Sequence, residues 1–193
     1  MNDTTIHRLP DALESIEDAT KKIGFPMASD RQTGSLLRTL AASKPGGRML
    51  ELGTGTGLSA CWLLDGMSQD ALLKSVDYDA KAVSVARKYI GTDPRVDFTV
   101  ADGGEFLKTL QVGEPFDLIF ADTWPGKYHH LDLALNLLKK GGCYVIDDML
   151  PQPNWPDDHP PKVKALLHTL ENLDGYQLTS LCWSTGIVLL VKE

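Results

Sequence analysis

The stretch MLELGTGTGLSA, residues 49–60, constrains the fold more than any other. An apolar strand carrying Glu51 runs straight into Gly53-Thr54-Gly55-Thr56-Gly57, and a helical pattern opens at once. Such a turn lets backbone come close to a ligand and aims helix N–H groups at negative charge, so it predicts a cofactor site. The spacing differs from the dinucleotide fingerprint G-x-G-x-x-G, which needs a small residue where this chain has Leu58.

The remaining sequence alternates short apolar runs with helical patterns, which predicts βαβ units and a mainly parallel sheet. Strands are expected at 48–52, 72–77, 95–100, 116–121, 142–147, 176–182 and 186–192. Helices are expected at 57–65, 79–90, 103–110, 129–139 and 161–172, preceded by two near 10–23 and 29–43. The segment DYDAKAVSVARKYIG shows the helical signal well, with an acid at its start and Gly91 as C-cap. The last two strands have no helix between them, so an antiparallel hairpin should close one sheet edge. The Pro-rich MLPQPNWPDDHPP stretch is too irregular for either element and reads as a lid or binding loop.

With 193 residues, 42% hydrophobic and 23% charged, one domain with a full core is expected. No run of residues suits a membrane span, and MNDTTIHRLPDALESIED lacks the marks of a signal peptide, so a cytoplasmic protein is expected. Cys61, Cys143 and Cys182 lie scattered in apolar contexts, as reduced thiols would. A net charge of −7 without a basic patch disfavours nucleic acid as a partner.

Acids end successive strands. Asp77 closes the second, where a carboxylate can accept hydrogen bonds from ribose hydroxyls, and Asp102 closes the third, in VADGGEF. Asp122 closes the fourth, and Asp147-Asp148 the fifth. Ligands of open α/β sheets bind at the carboxyl ends of strands. If strands four and five are neighbours, three carboxylates converge, which forces one pKa upward or calls for a hard divalent cation. Polar turn residues opening the Pro-rich loop are the plainer alternative for Asp147-Asp148.

On these motifs the chain resembles the class I S-adenosylmethionine-dependent methyltransferases. The resemblance spans nearly the whole chain and implies a Rossmann-like, open, seven-stranded, mostly parallel sheet with helices on both faces and an antiparallel C-terminal hairpin strand. Residues 46–193 would form the S-adenosylmethionine-binding core and residues 1–45 the N-terminal helices covering the site. The cofactor would be held by Met27, Glu51, Gly53, Thr54, Gly55, Gly57, Ser59, Asp77, Tyr78, Asp102, Gly103, Asp122 and Trp124.

FDLIFADTWPGKYHHLDLALNLLKKGGCYVIDDML is similar to the corresponding region of the metal-dependent catechol and caffeoyl-CoA O-methyltransferases. That likeness implies Mg²⁺ or Ca²⁺ on Asp122, Asp147 and Asp148, and methylation of a small aromatic vicinal diol. It also implies a possible homodimer, which amphipathic N-terminal helices would allow. One departure is plain. The catechol type follows its strand-four acid with a His-Trp-Lys run whose Lys is the general base; this chain has Thr123-Trp124-Pro125. Lys127 beyond the Pro-Gly turn, His129 or His130, and Asp122 itself are the candidates left. The alternatives in function are a metal-independent small-molecule N- or O-methyltransferase and a cofactor-binding protein that has lost catalysis.

Overall fold

Seven apolar runs pair edge to edge into one sheet. The computed structural model describes residues 2, 4–110, 113–153 and 155–193. Its strands are β1 (Arg48–Leu52), β2 (Leu72–Asp77), β3 (Val96–Val100), β4 (Phe116–Ala121), β5 (Leu138–Ile146), β6 (Tyr176–Leu181) and β7 (Ile187–Lys192). The helices are α1 (Leu13–Ile23), α2 (Arg31–Ala42), α3 (Leu58–Gly66), α4 (Ala80–Ile90), α5 (Gly103–Thr109), α6 (Leu131–Asn136) and α7 (His159–Glu171). Strand order is β3-β2-β1-β4-β5-β7-β6.

The five strands from β3 to β5 run parallel, and β7 lies antiparallel to both β5 and β6. The expected C-terminal hairpin therefore exists, with its second strand inserted next to β5. After β3 the chain returns to the centre of the sheet and lays β4 beside β1, and that reversal of winding opens a crevice at the strands' carboxyl ends.

Alternation along β1 assigns its residues to opposite faces. Met49 joins a core built with α1 to α4, while Leu50 and Leu52 join one built with α5, α6 and α7. Helix α3 is buried along nearly its whole length, and α2 crosses it closely enough that a Cβ at Gly34 would meet the Trp62 indole at 2.2 Å. The apolar faces of α1 and α2 are thus spent on this chain's own body, through Leu13, Ile16, Leu37 and Ala41.

Two expectations shift. The helix expected over 129–139 covers only Leu131–Asn136, because β5 begins at Leu138, which pairs with Phe116 before the register shifts and resumes at Cys143. The site is reached less by the N-terminal helices than by the segment joining them, Phe25 to Ser29. No helix among the described residues is long and apolar enough to cross a membrane.

Candidate active site

At the carboxyl edge of β1, β2, β4 and β5 lies a cavity of about 560 Å³. One end is formed by the glycine turn. The N–H groups of Gly53 and Thr54 both donate to the Val76 carbonyl, at 2.9 and 3.2 Å, which bends the chain sharply off β1. Gly53 has φ 104°, and a Cβ there would meet the Asp122 carbonyl oxygen at 2.7 Å, so only glycine lets the turn lie against the end of β4. The Gly55 N–H donates to Asp77 Oδ2 at 2.8 Å, and the Asp79 N–H to Asp77 Oδ1 at 2.9 Å. The β2 carboxylate is thereby held at the cavity edge. Asp102 caps α5 by accepting the Glu105 N–H, and Asp102, Gly103 and Tyr78 all line the cavity.

Met27, Thr54, Ser59 and Trp124 also line the cavity; Glu51 and Gly57 do not. Gly57 packs against α4, where a Cβ would meet that of Ala86 at 2.6 Å. Glu51 is fully buried beneath the turn: the Ser75 hydroxyl donates to its Oε2, and Oε1 has no hydrogen-bond partner. Loss of water pushes its pKa up to about 7 against the pull of the Ser59 and Ser75 hydroxyls. It supports the turn rather than facing the cavity.

The other end gathers Asp122, Lys127, Asp147 and Asp148. Asp122 Oδ2 accepts from the Ser29 hydroxyl at 3.0 Å, and Oδ1 lies 3.7 Å from Lys127 Nζ. Burial and the neighbouring Asp147 carboxylate hold Asp122 well above the usual carboxylate range, with the Lys127 charge opposing them. Asp147 rises to about 6, chiefly by burial, while the Thr185 hydroxyl and Lys127 pull it down. Its Oδ1 is engaged by the Thr185 hydroxyl and by the Asp148 N–H at 2.8 Å. Asp148 sits at φ 57°, a left-handed conformation that Asp tolerates better than most residues.

Of the candidates beyond the Pro-Gly turn, Lys127 is the one that enters the cavity. Its ammonium is buried, and donates to the Asp147 carbonyl at 2.8 Å. His129, the other candidate beyond the turn, is exposed and does not line the cavity; His130, also exposed, precedes α6. The cation expected on Asp122, Asp147 and Asp148 does not fit this arrangement. A lysine ammonium already stands between Asp122 Oδ1 and the Asp147 carbonyl, Asp147 Oδ1 is taken by two donors, and no group of three His, Cys, Asp or Glu among the described residues is set to hold a metal ion.

Aromatic rings wall the acid end. Trp124 meets Tyr128 edge-on with centroids 5.9 Å apart, and Trp155 lies 4.4 Å from His159. The Tyr128 hydroxyl is 3.2 Å from His159 Nε2, and Lys162 Nζ sits 4.4 Å from the Trp124 ring centroid. Tyr128, Gln152, His159 and Thr185 all line the cavity and were not singled out from the sequence. The clue available for His159 was its place at the end of the Pro-rich loop.

Residues 4–182 match the O-methyltransferase family. The catechol O-methyltransferase of Mycobacterium tuberculosis is 31% identical over 128 residues, covering 64% of this chain and 58% of that protein. The O-methyltransferase TomG of Streptomyces achromogenes, solved with S-adenosylmethionine, superimposes at a TM-score of 0.85 with 25% identity, covering 98% of this chain and 93% of that one. The Bacillus cereus O-methyltransferase, solved with S-adenosylhomocysteine, has the same fold at a TM-score of 0.82, with 23% identity and coverage of 98% and 94%. The chain spans between half and two thirds of the length of the mycobacterial curated relatives it matches. With the match running from before α1 to the end of β6, the chain belongs to the O-methyltransferase family.

Proposed function

We propose that this protein transfers a methyl group from S-adenosylmethionine to a hydroxyl oxygen of a small, flat, aromatic acceptor, most simply a vicinal diol. The observation that carries the reading is the continuity of one cavity from the glycine turn and Asp77 to the buried pair Asp122 and Lys127. The bound cofactor of the Streptomyces relative and the name of the mycobacterial one support the two halves of the proposal.

When bound, S-adenosylmethionine supplies an electrophilic methyl on a positively charged sulfur. The turn from Gly53 to Gly55 would approach its amino-acid end, Asp77 would accept hydrogen bonds from its ribose, and Asp102, Gly103 and Tyr78 would flank its base. Met27 and Trp124 would close over it.

Asp122 would accept the proton of the attacking hydroxyl. A carboxylate with a raised pKa is a stronger base than an ordinary one, which suits this task near neutral pH. As the new C–O bond forms, the C–S bond breaks and the sulfur keeps that electron pair, ending as a neutral thioether. Lys127 keeps Asp122 from being an isolated buried charge. Trp124, Trp155 and His159 would hold a flat ring in line with the methyl, and alignment of this kind accounts for much of the rate of such transfers.

The test is calorimetric titration with S-adenosylmethionine followed by methylation assays on a panel of catechols and simple phenols, read by mass spectrometry. Cofactor binding with methylated aromatic product is expected. Binding without turnover of any aromatic hydroxyl would overturn the enzymatic reading.

A further inference from the structure

The turn Trp124-Pro125-Gly126 directs Lys127 into the acid cluster. The Trp124 carbonyl accepts the N–H groups of Lys127 at 3.1 Å and of Tyr128 at 2.9 Å, while the Gly126 N–H donates to the His129 carbonyl at 2.7 Å. The Tyr144 hydroxyl, buried in β5, donates to the Gly126 carbonyl at 2.7 Å and ties the turn to the sheet. Gly126 has φ 87°, and a Cβ there would strike Leu52 Cδ1 at 2.5 Å and the Tyr144 oxygen at 2.8 Å. A turn pinned this tightly against the sheet leaves the next side chain one direction, down into the cavity.

We propose that the Lys127 ammonium is the resident cation of this site, standing between the Asp122 carboxylate and the Asp147 carbonyl in place of a divalent metal ion, so that the protein works without one. Three observations carry it. Lys127 is 5% exposed, so its charge is not dispersed into solvent. It is the sole lysine among the described cavity-lining residues, and no arginine joins it. It bridges the ends of β4 and β5, through Asp122 Oδ1 at 3.7 Å and the Asp147 carbonyl at 2.8 Å, as a bridging ion would. An ammonium has three donors and no coordination geometry to satisfy, so a remaining N–H is free to point at an acceptor oxygen. The activity half of this inference rests on the methyl-transfer reading; the metal-binding half does not.

The experiment is a Mn²⁺ titration of the full chain, followed by electron paramagnetic resonance and calorimetry, on the wild type, Lys127→Met, Lys127→Arg and the double variant Lys127→Met with Asp147→Asn. The wild type and Lys127→Arg are expected to bind no Mn²⁺ in the cavity. Lys127→Met, with its carboxylates uncompensated, should gain a Mn²⁺ site that the added Asp147→Asn removes. Wild-type turnover should change by less than about twofold between chelator and added Mg²⁺, whereas a metal-activated nucleophile would lose orders of magnitude. A wild-type Mn²⁺ site abolished by Asp147→Asn, or wild-type activity lost in chelator and restored by Mg²⁺, overturns the proposal. Should Lys127→Met fail to fold, the wild-type arms decide alone. Should no acceptor be methylated, the Mn²⁺ arms still decide the cation while the functional reading fails separately.

Discussion

The hydroxyl of Tyr128 lies 3.2 Å from Nε2 of His159, joining the turn after β4 to the first residue of α7 across the mouth of the acceptor end. Burial and the charges of Lys127 and Lys162 lower the His159 pKa, so its ring is neutral near pH 7 and one nitrogen can accept from the tyrosine. The pair closes the aromatic wall that Trp124 and Trp155 begin.

Tyr128→Phe keeps the ring and removes this link. A net hydrogen bond is worth about 1 kcal/mol, so acceptor KM should rise about fivefold with kcat little changed. Steady-state kinetics on the best acceptor checks it; an equal fall in kcat and kcat/KM would assign Tyr128 to the chemical step instead.

Asp122→Asn removes the proposed proton acceptor while keeping size and a partner for Ser29. Single-turnover rates should fall about 10²- to 10⁴-fold, the usual contribution of general base catalysis. Calorimetry should find cofactor affinity much less affected, because the turn and Asp77 supply separate contacts.

Glu51 makes stability depend on pH in a defined direction. Its folded-state pKa is about 7 against an ordinary 4.5, so the folded protein holds a proton there that the unfolded chain has already released. Stability from this group is intact below pH 4.5 and is lost as pH rises through 7. The loss is on the order of 3 kcal/mol. Glu51→Gln should flatten the decline, so that urea unfolding at pH 5 and pH 8 differs less in the variant than in the wild type. Parallel profiles would count against a protonated Glu51.

Gly126→Ala tests the turn that aims Lys127. The left-handed backbone and the contacts with Leu52 and Tyr144 both oppose a Cβ, and a misplaced residue of this kind costs about 1–3 kcal/mol. For a chain of this size that is a fall in Tm of about 2–12 °C. Differential scanning calorimetry measures it, and a Tm equal to the wild type would show that the turn has slack.

Much of the cofactor end was legible in the sequence because its signals are local. Glycines between a strand and a helix, and acids at strand ends, mean the same thing in any βαβ unit, so Gly53, Asp77 and Asp102 could be placed from neighbours within a few residues. The start of β5 was not legible: LKKGG continues a helical pattern, and only pairing of Leu138 with Phe116 draws it into the sheet. Nor was the burial of Glu51 beneath the turn, where its hydrogen-bond partner is Ser75 of the adjoining strand. At the acceptor end the strand-end acids Asp122, Asp147 and Asp148 were legible from the same local signals, but which polar side chain beyond the turn enters the site was decided by tertiary structure. In PGKYHH, Lys127 and His129 are two residues apart and equally polar, yet one is buried beside Asp122 and the other faces outward. What separates them is Gly126 pressed onto Leu52 and Tyr144, residues distant in sequence whose contact arises only when β1, β4 and β5 pack into one sheet.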